Sequence, residues 1–354
     1  MLASLICTNK GDATVMKTRI IYQTIDTHTG GQPTRTIYGG VGNIPGKTMS
    51  EKMLYLKEKR DDIRQLLMFE PRGNDIMSGV ILTEPCTPGC DIGVIYLEVG
   101  GYLPMCGHDT IGVATALMEI GMLKTPIEPY TELFLDTPAG VVKVKIHIES
   151  GSVRDVTFEN VPAFVFKRDA VITVPGIGNV KMDISYGGNF YALIRASDVG
   201  LKIIPEEAAQ TVQLGQSIRG AVNTQMEVFH PEYNFIRGLT HVQFYEPIKD
   251  DKCLRSRNAV VIPDGTLDRS PCGTGSSARL ASLFACGELA VGERFINESI
   301  IGSQFECRIL REERIGEFVS VIPEITGSAY VTGIHSFFVD HDDPFQSGFQ
   351  LKCF

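Results

Sequence analysis

"LPMCGHDTIGVATALMEIG" (residues 103–121) and "DRSPCGTGSSARLASLFACGEL" (residues 268–289) are two versions of one design. Each sets a Cys-Gly pair, Cys106–Gly107 or Cys272–Gly273, ahead of small, hydroxyl-bearing and helix-forming residues. Each carries a glycine 15 residues after its cysteine, Gly121 or Gly287. Strand-like stretches lead into both: "DIGVIYLEVGGYLPM" (91–105) and "NAVVIP" (258–263). Each half of the chain thus reads as strands, a helix, then a strand feeding a Cys-Gly helix. That is an α+β chain with an internal duplication, its halves meeting near residues 145–155.

Farther out, residues 17–26 read as a strand and "THTGGQPTR" (27–35) as a turn-rich loop. Residues 48–71 read as one long helix, with Thr48 or Ser50 as N-cap, Met53, Leu54, Leu56, Ile63, Leu66 and Leu67 at helical spacing, and Pro71 after its end. Residues 132–161 read as a strand meander turning at Pro138–Gly140 and Ser150–Gly151, and two strands flank Gly187–Gly188. A second long helix is expected over 205–225, a strand over 241–247, and short strands to residue 340.

A cysteine in the first turn of a helix faces unsatisfied N–H groups and roughly half a positive charge. Both favour thiolate, lowering the pKa from about 8.5. Such amides also make an anion site suited to a carboxylate. Two of these turns face to face would place one sulfur on each side of a carbon. One sulfur, as thiolate, accepts a proton from that carbon while the other, as thiol, donates one. Amides aimed at the carboxylate stabilise the charge that grows as the carbon ionises.

"MCGHDTIG" and "DRSPCGTGSSA", with "DTHTGG" (26–31) and "EPRG" (70–73), closely resemble the proline racemase family of proline racemases, 4-hydroxyproline 2-epimerases and trans-3-hydroxyproline dehydratases. The resemblance runs from about Thr18 to near the C-terminus. It implies an isomerase needing no cofactor or metal and the diaminopimelate-epimerase-like fold, in which two similar α/β domains each curl a sheet around a central helix. It implies domains over 16–147 and 148–335, a site in the cleft between them, and room for the C-terminal segment, about 336–354, to return to the first. Residues 1–15, ahead of Met16, read as a poorly ordered extension.

Carried over by position, Cys106 and Cys272 are the two bases. Gly107, His108, Gly273 and Thr274 hold the substrate carboxylate through backbone amides. His108 and Asp268 hold the ring nitrogen. The plainer readings are a surface histidine and a turn residue. The dehydratases put threonine where Cys272 stands, so two sulfurs favour racemisation or epimerisation. In proline racemases phenylalanines line the ring pocket, whereas here Ser78 stands in "EPRGNDIMSG" and Ile262–Pro263 in "VVIPDGTLDRSPC". A serine leaves space and a hydrogen-bond partner for a ring hydroxyl, which points to 4-hydroxyproline with slower turnover of proline. Ser78 as plain packing is the competing reading. His241 can reach the substrate or be a satisfied core histidine.

A net charge of −9 without basic runs argues against nucleic acid and anionic membranes. No apolar run approaches about 18 residues, so no membrane span is expected. Nine cysteines without a clear signal peptide read as reduced cytoplasmic thiols. Cys86 and Cys90 with Cys106 and His108 lack the tight spacing of zinc sites. "YGGVGNIPG" (38–46) lacks the glycine order of a nucleotide loop. The expected partner is a small imino acid, and a homodimer is left open. A non-catalytic imino-acid binder would need the amides but not both sulfurs.

Overall fold

The computed structural model describes residues 20–351 except 123, 124, 251 and 264; the extension expected over residues 1–15 lies outside the described residues. β1 (Ile20–Thr29) and β2 (Gln32–Gly39) form a hairpin closed by Gly30–Gly31, both at positive φ. The loop expected over 27–35 is therefore mostly strand. Its threonines are β-branched strand formers, and Thr27, Thr29 and Thr34 are buried with their hydroxyls bonded.

α1 (Met49–Lys59) and α2 (Asp61–Met68) replace the single helix expected. The helix breaks at Arg60, at φ −140 and ψ 35, while Thr48 caps α1 by accepting the Glu51 amide. β3 (Ser78–Thr83), β4 (Ile92–Glu98) and β5 (Gly101–Leu103) follow, β4 and β5 pairing as a hairpin where one strand was expected. α3 (Gly107–Glu119) comes next, then β6 (Tyr130–Thr137), β7 (Gly140–Glu149) and β8 (Ser152–Glu159), the expected meander.

The second half opens with β9 (Ala163–Val174), which the sequence reading leaves unassigned, then β10 (Gly178–Tyr186) and β11 (Phe190–Arg195). α4 (Ala208–Gln225), β12 (His241–Ile248), β13 (Leu254–Val261) and α5 (Gly273–Ala285) lead to β14 (Arg294–Glu298), β15 (Gln304–Ile315), β16 (Phe318–Gly327) and β17 (Ala329–Val339).

Strand pairing repeats the same order twice. β1–β2 is antiparallel, β2–β3 parallel, β3–β4 antiparallel and β4–β6 parallel, with β7 and β8 following antiparallel. β10–β11 is antiparallel, β11–β12 parallel, β12–β13 antiparallel and β13–β14 parallel, with β15 and β16 following antiparallel. The strand beside β10 is β9, and the one beside β1 is β17, from the other end of the chain. β16 pairs with both β15 and β9, closing the second set of strands into a ring, and with β8, joining it to the first.

α3 runs against β1, β2, β8 and β17, and α5 against β9, β10, β15 and β16. Residues 107–118 of α3 and 273–283 of α5 are all buried. A helix enclosed on every side has no solvent face to make polar, which is why these two are built mostly from glycine, alanine, serine, threonine and aliphatic residues, with His108, Asp109 and Arg279 as the buried charged exceptions. The main core gathers around them, and a second cluster lies under α1 and α2.

Candidate active site

The two central helices meet at their starts. A Cβ on Gly107 would lie 2.5 Å from the Gly273 Cα, and one on Gly273 would lie 2.7 Å from the Gly107 Cα. Either would also crowd the ring of Phe158, at 3.1 and 3.2 Å. The glycine after each cysteine is therefore a helix–helix contact, a role the sequence reading assigned to ligand approach alone. With the glycines in contact, Cys106 and Cys272 are both N-caps that make no side-chain cap bond. Their thiols line one narrow buried cavity with Gly107, His108, Asp268, Gly273, Thr274 and His241. Eight of the nine residues singled out from sequence are thus brought together.

Ser78 is the ninth, and it differs from expectation. It lies behind His108, with its Oγ 2.7 Å from His108 Nε2 and 2.8 Å from Asp109 Oδ1. The hydroxyl expected to meet a ring substituent orients the histidine instead. Thr34 pairs in register with Ser78 and donates to Asp109 Oδ1 at 2.7 Å. Thr29 donates to the His108 carbonyl at 2.9 Å. The "DTHTGG" hairpin is thereby the seat of the first cysteine helix.

His241 holds the position in the second half that Ser78 holds in the first, pairing in register with Tyr191 as Ser78 pairs with Thr34. Its ring stacks on Tyr191 at 4.7 Å, and its Nδ1 is 2.8 Å from Thr240 Oγ1. Burial, reinforced by the charges of Arg219 and His108, lowers its pKa to about 3, so it is a neutral wall.

His108 is the opposite case. Burial alone would lower its pKa, but Asp109, Asp268 and Glu98 outweigh it and raise the value to about 9. Its Nδ1 is 3.4 Å from Cys106 Sγ and 3.8 Å from Asp268 Oδ2. Asp268 also accepts the Ser270 amide through Oδ1 at 2.8 Å, so the turn role and the site role coexist in one carboxylate. A histidine with a raised folded-state pKa contributes stability fully present below about 6.5 and lost as pH rises through about 9. The urea midpoint should therefore fall over that window in the natural protein and stay flatter in His108→Gln.

The expectation of lowered thiol pKa values is corrected. Burial pushes Cys106 up, and Asp109 adds to it; burial pushes Cys272 up, and Asp268 adds to it. The amides of Asp109 and Gly275, each three residues along, do favour the thiolates, as a helix start should. They are outweighed because both sulfurs are fully enclosed. Enclosure thus favours the thiol form at both positions.

Sequence reading missed five lining residues, the apolar Leu103 and the polar Gln32, Glu98, Asn189 and Tyr191. Gln32 accepts the Arg269 amide at 2.9 Å, and Asn189 donates to the Met105 carbonyl at 2.9 Å. Each amide side chain thus grips the backbone just ahead of the other half's cysteine. The signal was present as Gly-Gly followed by an amide residue, at 30–32 and again at 187–189.

Among the described residues, Cys106, His108 and Asp109 bring ligand-type atoms within 4.8 Å of one another, a group able to hold a metal ion; Cys86 and Cys90 are not in it. In this structure those atoms already engage Ser78 and one another. Among the described residues no helix is long and apolar enough to cross a membrane.

The proline racemase family model matches residues 24–350. The chain belongs to the proline racemase family. It is 48% identical over 336 residues to a 4-hydroxyproline 2-epimerase of Streptosporangium roseum, covering 95% of this chain and 100% of that one. It is 44% identical over 331 residues to a proline racemase of Clostridioides difficile, covering 93% and 98%. Its fold matches the crystal structure of a hydroxyproline epimerase from Agrobacterium vitis with bound trans-4-hydroxy-L-proline, with a TM-score of 0.90, 36% identity and coverage of 95% and 96%. The protein is an isomerase of the racemase and epimerase kind, with the diaminopimelate-epimerase-like fold.

Proposed function

We propose that this family member is a cofactor-independent 4-hydroxyproline 2-epimerase, converting trans-4-hydroxy-L-proline to cis-4-hydroxy-D-proline and racemising proline more slowly. The observation that carries the reading is the pair of thiols offered to one cavity by two abutting helix starts. Cys106 and Cys272 act as the two bases, one for each face of the α-carbon. The backbone amides of Gly107, His108, Gly273 and Thr274 take the carboxylate. Asp268 and His108 take the ring nitrogen. A cationic secondary amine arriving beside Asp268 offsets the negative charge that helps hold Cys272 protonated.

The choice of hydroxyproline rests on Ile262, which lines the cavity where an aromatic residue is expected in proline racemases, and on the polar walls that His241 and Tyr191 supply. A proline racemase is the second reading, because Ser78 is engaged by His108 and is not among the lining residues. The repeated strand order supports two domains, with β17 serving the first. The free thiols among the described cysteines suit a reducing cytoplasm.

Incubation in D2O with trans-4-hydroxy-L-proline or L-proline tests the reading. Loss of the Cα–H signal and appearance of the deuterated opposite isomer are expected, with kcat/KM larger for hydroxyproline. A larger value for proline would select the racemase. No exchange with either compound would overturn both.

A further inference from the structure

We propose that Tyr191 is a positioning residue for Cys272, forming with Thr274 a pair of hydroxyls whose hydrogen bonds reverse as that sulfur gains or loses its proton. The Tyr191 hydroxyl is 3.3 Å from Cys272 Sγ and 2.5 Å from Thr274 Oγ1. Thr274 Oγ1 is itself 3.9 Å from Sγ, so the tyrosine hydroxyl is the closer partner of the sulfur and bonds the threonine as well. All three groups are buried, and the stack on His241 holds the tyrosine ring in place.

A base that alternates between thiol and thiolate needs partners able to serve both forms. Tyrosine and threonine hydroxyls each carry one proton and can also accept. When Cys272 is a thiolate, Thr274 donates to Tyr191 and Tyr191 donates to the sulfur. When Cys272 is a thiol, its S–H is free to turn toward Tyr191 or the substrate, and Tyr191 donates to Thr274. The proton that Cys272 gains or loses is exchanged with the substrate carbon; the Tyr191 and Thr274 hydroxyls keep their own protons and only rotate.

Cys106 has a different partner. The equivalent strand position holds Thr34, which bonds Asp109, and the group beside Cys106 Sγ is the His108 ring. One sulfur is served by an ionic partner and the other by neutral hydroxyls, so the two can be told apart experimentally. Gly275 makes room for this arrangement, since a Cβ there would lie 3.1 Å from Cys272 Sγ and 3.2 Å from the Tyr191 ring.

This deepens the two-base reading of the site, and its test needs no turnover. Alkylation by iodoacetamide is followed across pH and mapped to each cysteine by peptide mass. A hydrogen bond to a charged group corresponds to roughly ten-fold or more in an equilibrium. In Tyr191→Phe, alkylation of Cys272 near pH 8 should fall by about that factor and its half-point should move to higher pH, while Cys106 in the same molecule stays as it was. Should the variant not fold, uniform 3-fluorotyrosine labelling gives a more acidic donor, and the Cys272 half-point should move down instead. Unchanged Cys272 reactivity, or equal changes at both cysteines, would overturn the proposal. A Cys272-specific shift in a protein that exchanges no substrate proton would leave it standing and sink the function reading.

Discussion

Cys106→Ser and Cys272→Ser are each expected to lower kcat for hydroxyproline epimerisation by about 1000-fold or more, within the range typical of losing a positioned acid or base. A serine hydroxyl is far less acidic than even a buried thiol. It can hold the place of the sulfur but cannot carry the proton at neutral pH. Both substitutions replace a sulfur with a smaller oxygen in a cavity whose walls are otherwise unchanged, so KM should move far less than kcat. The double variant should be little worse than either single one, because inversion needs both sulfurs and groups acting as a unit are not additive. The checks are steady-state rates by polarimetry and Cα–H exchange in D2O, measured from each epimer. With one thiolate left, slow exchange without inversion should persist for the epimer whose hydrogen faces it. A single variant that keeps more than a tenth of natural turnover would show that inversion does not run through the two thiols.

These expectations lean on features that differ in how far the sequence disclosed them. The two cysteines, their glycines, His108, Thr274 and Asp268 lie within a few residues of one another in two short stretches. Local spacing was therefore enough to propose that they act together. The meander over 132–161 was legible for the same reason, and the first helix's cap was narrowed to Thr48 or Ser50, of which Thr48 makes the bond, since turn glycines and caps are local signals. What the sequence did not disclose depends on strands far apart in the chain. Tyr191 and Asn189 reach the site because β11 stands beside β12 and across from the strand before Cys106. Ser78 was placed against the substrate from its position in "EPRGNDIMSG", whereas its contact with His108, 30 residues along the chain, is set by tertiary packing that local sequence does not show. The break at Arg60 carries no proline or glycine to announce it. The thiol pKa values were misjudged because a helix start is a local property, whereas burial is set by the whole fold.

Gly107→Ala is expected to destabilise the protein by about 1–3 kcal/mol and to cost about 100-fold in kcat. An inserted methyl at this point has nowhere to go. Its nearest neighbours are the Gly273 Cα at 2.5 Å and the Gly273 carbonyl carbon at 3.1 Å, both backbone, and the Phe158 ring at 3.1 Å. Backbone cannot rotate aside as the end of a long side chain can, so helices α3 and α5 must part. Overpacking a dense interior typically costs about the stability quoted. The kinetic effect follows from the same displacement. Moving the helix starts apart changes the separation of the two sulfurs and of the amides between them, and a misplacement of about 1 Å can cost about 100-fold. Gly121→Ala is the matched control, since Gly121 has open space around its Cβ position and lies at the far end of the same helix, though its φ of +68 makes some backbone strain unavoidable. Its stability should fall while kcat holds near the natural value. Urea midpoints and kcat on both variants separate the cases: equal loss of kcat in the two would mean that general instability, and not the meeting of the helix starts, sets the rate.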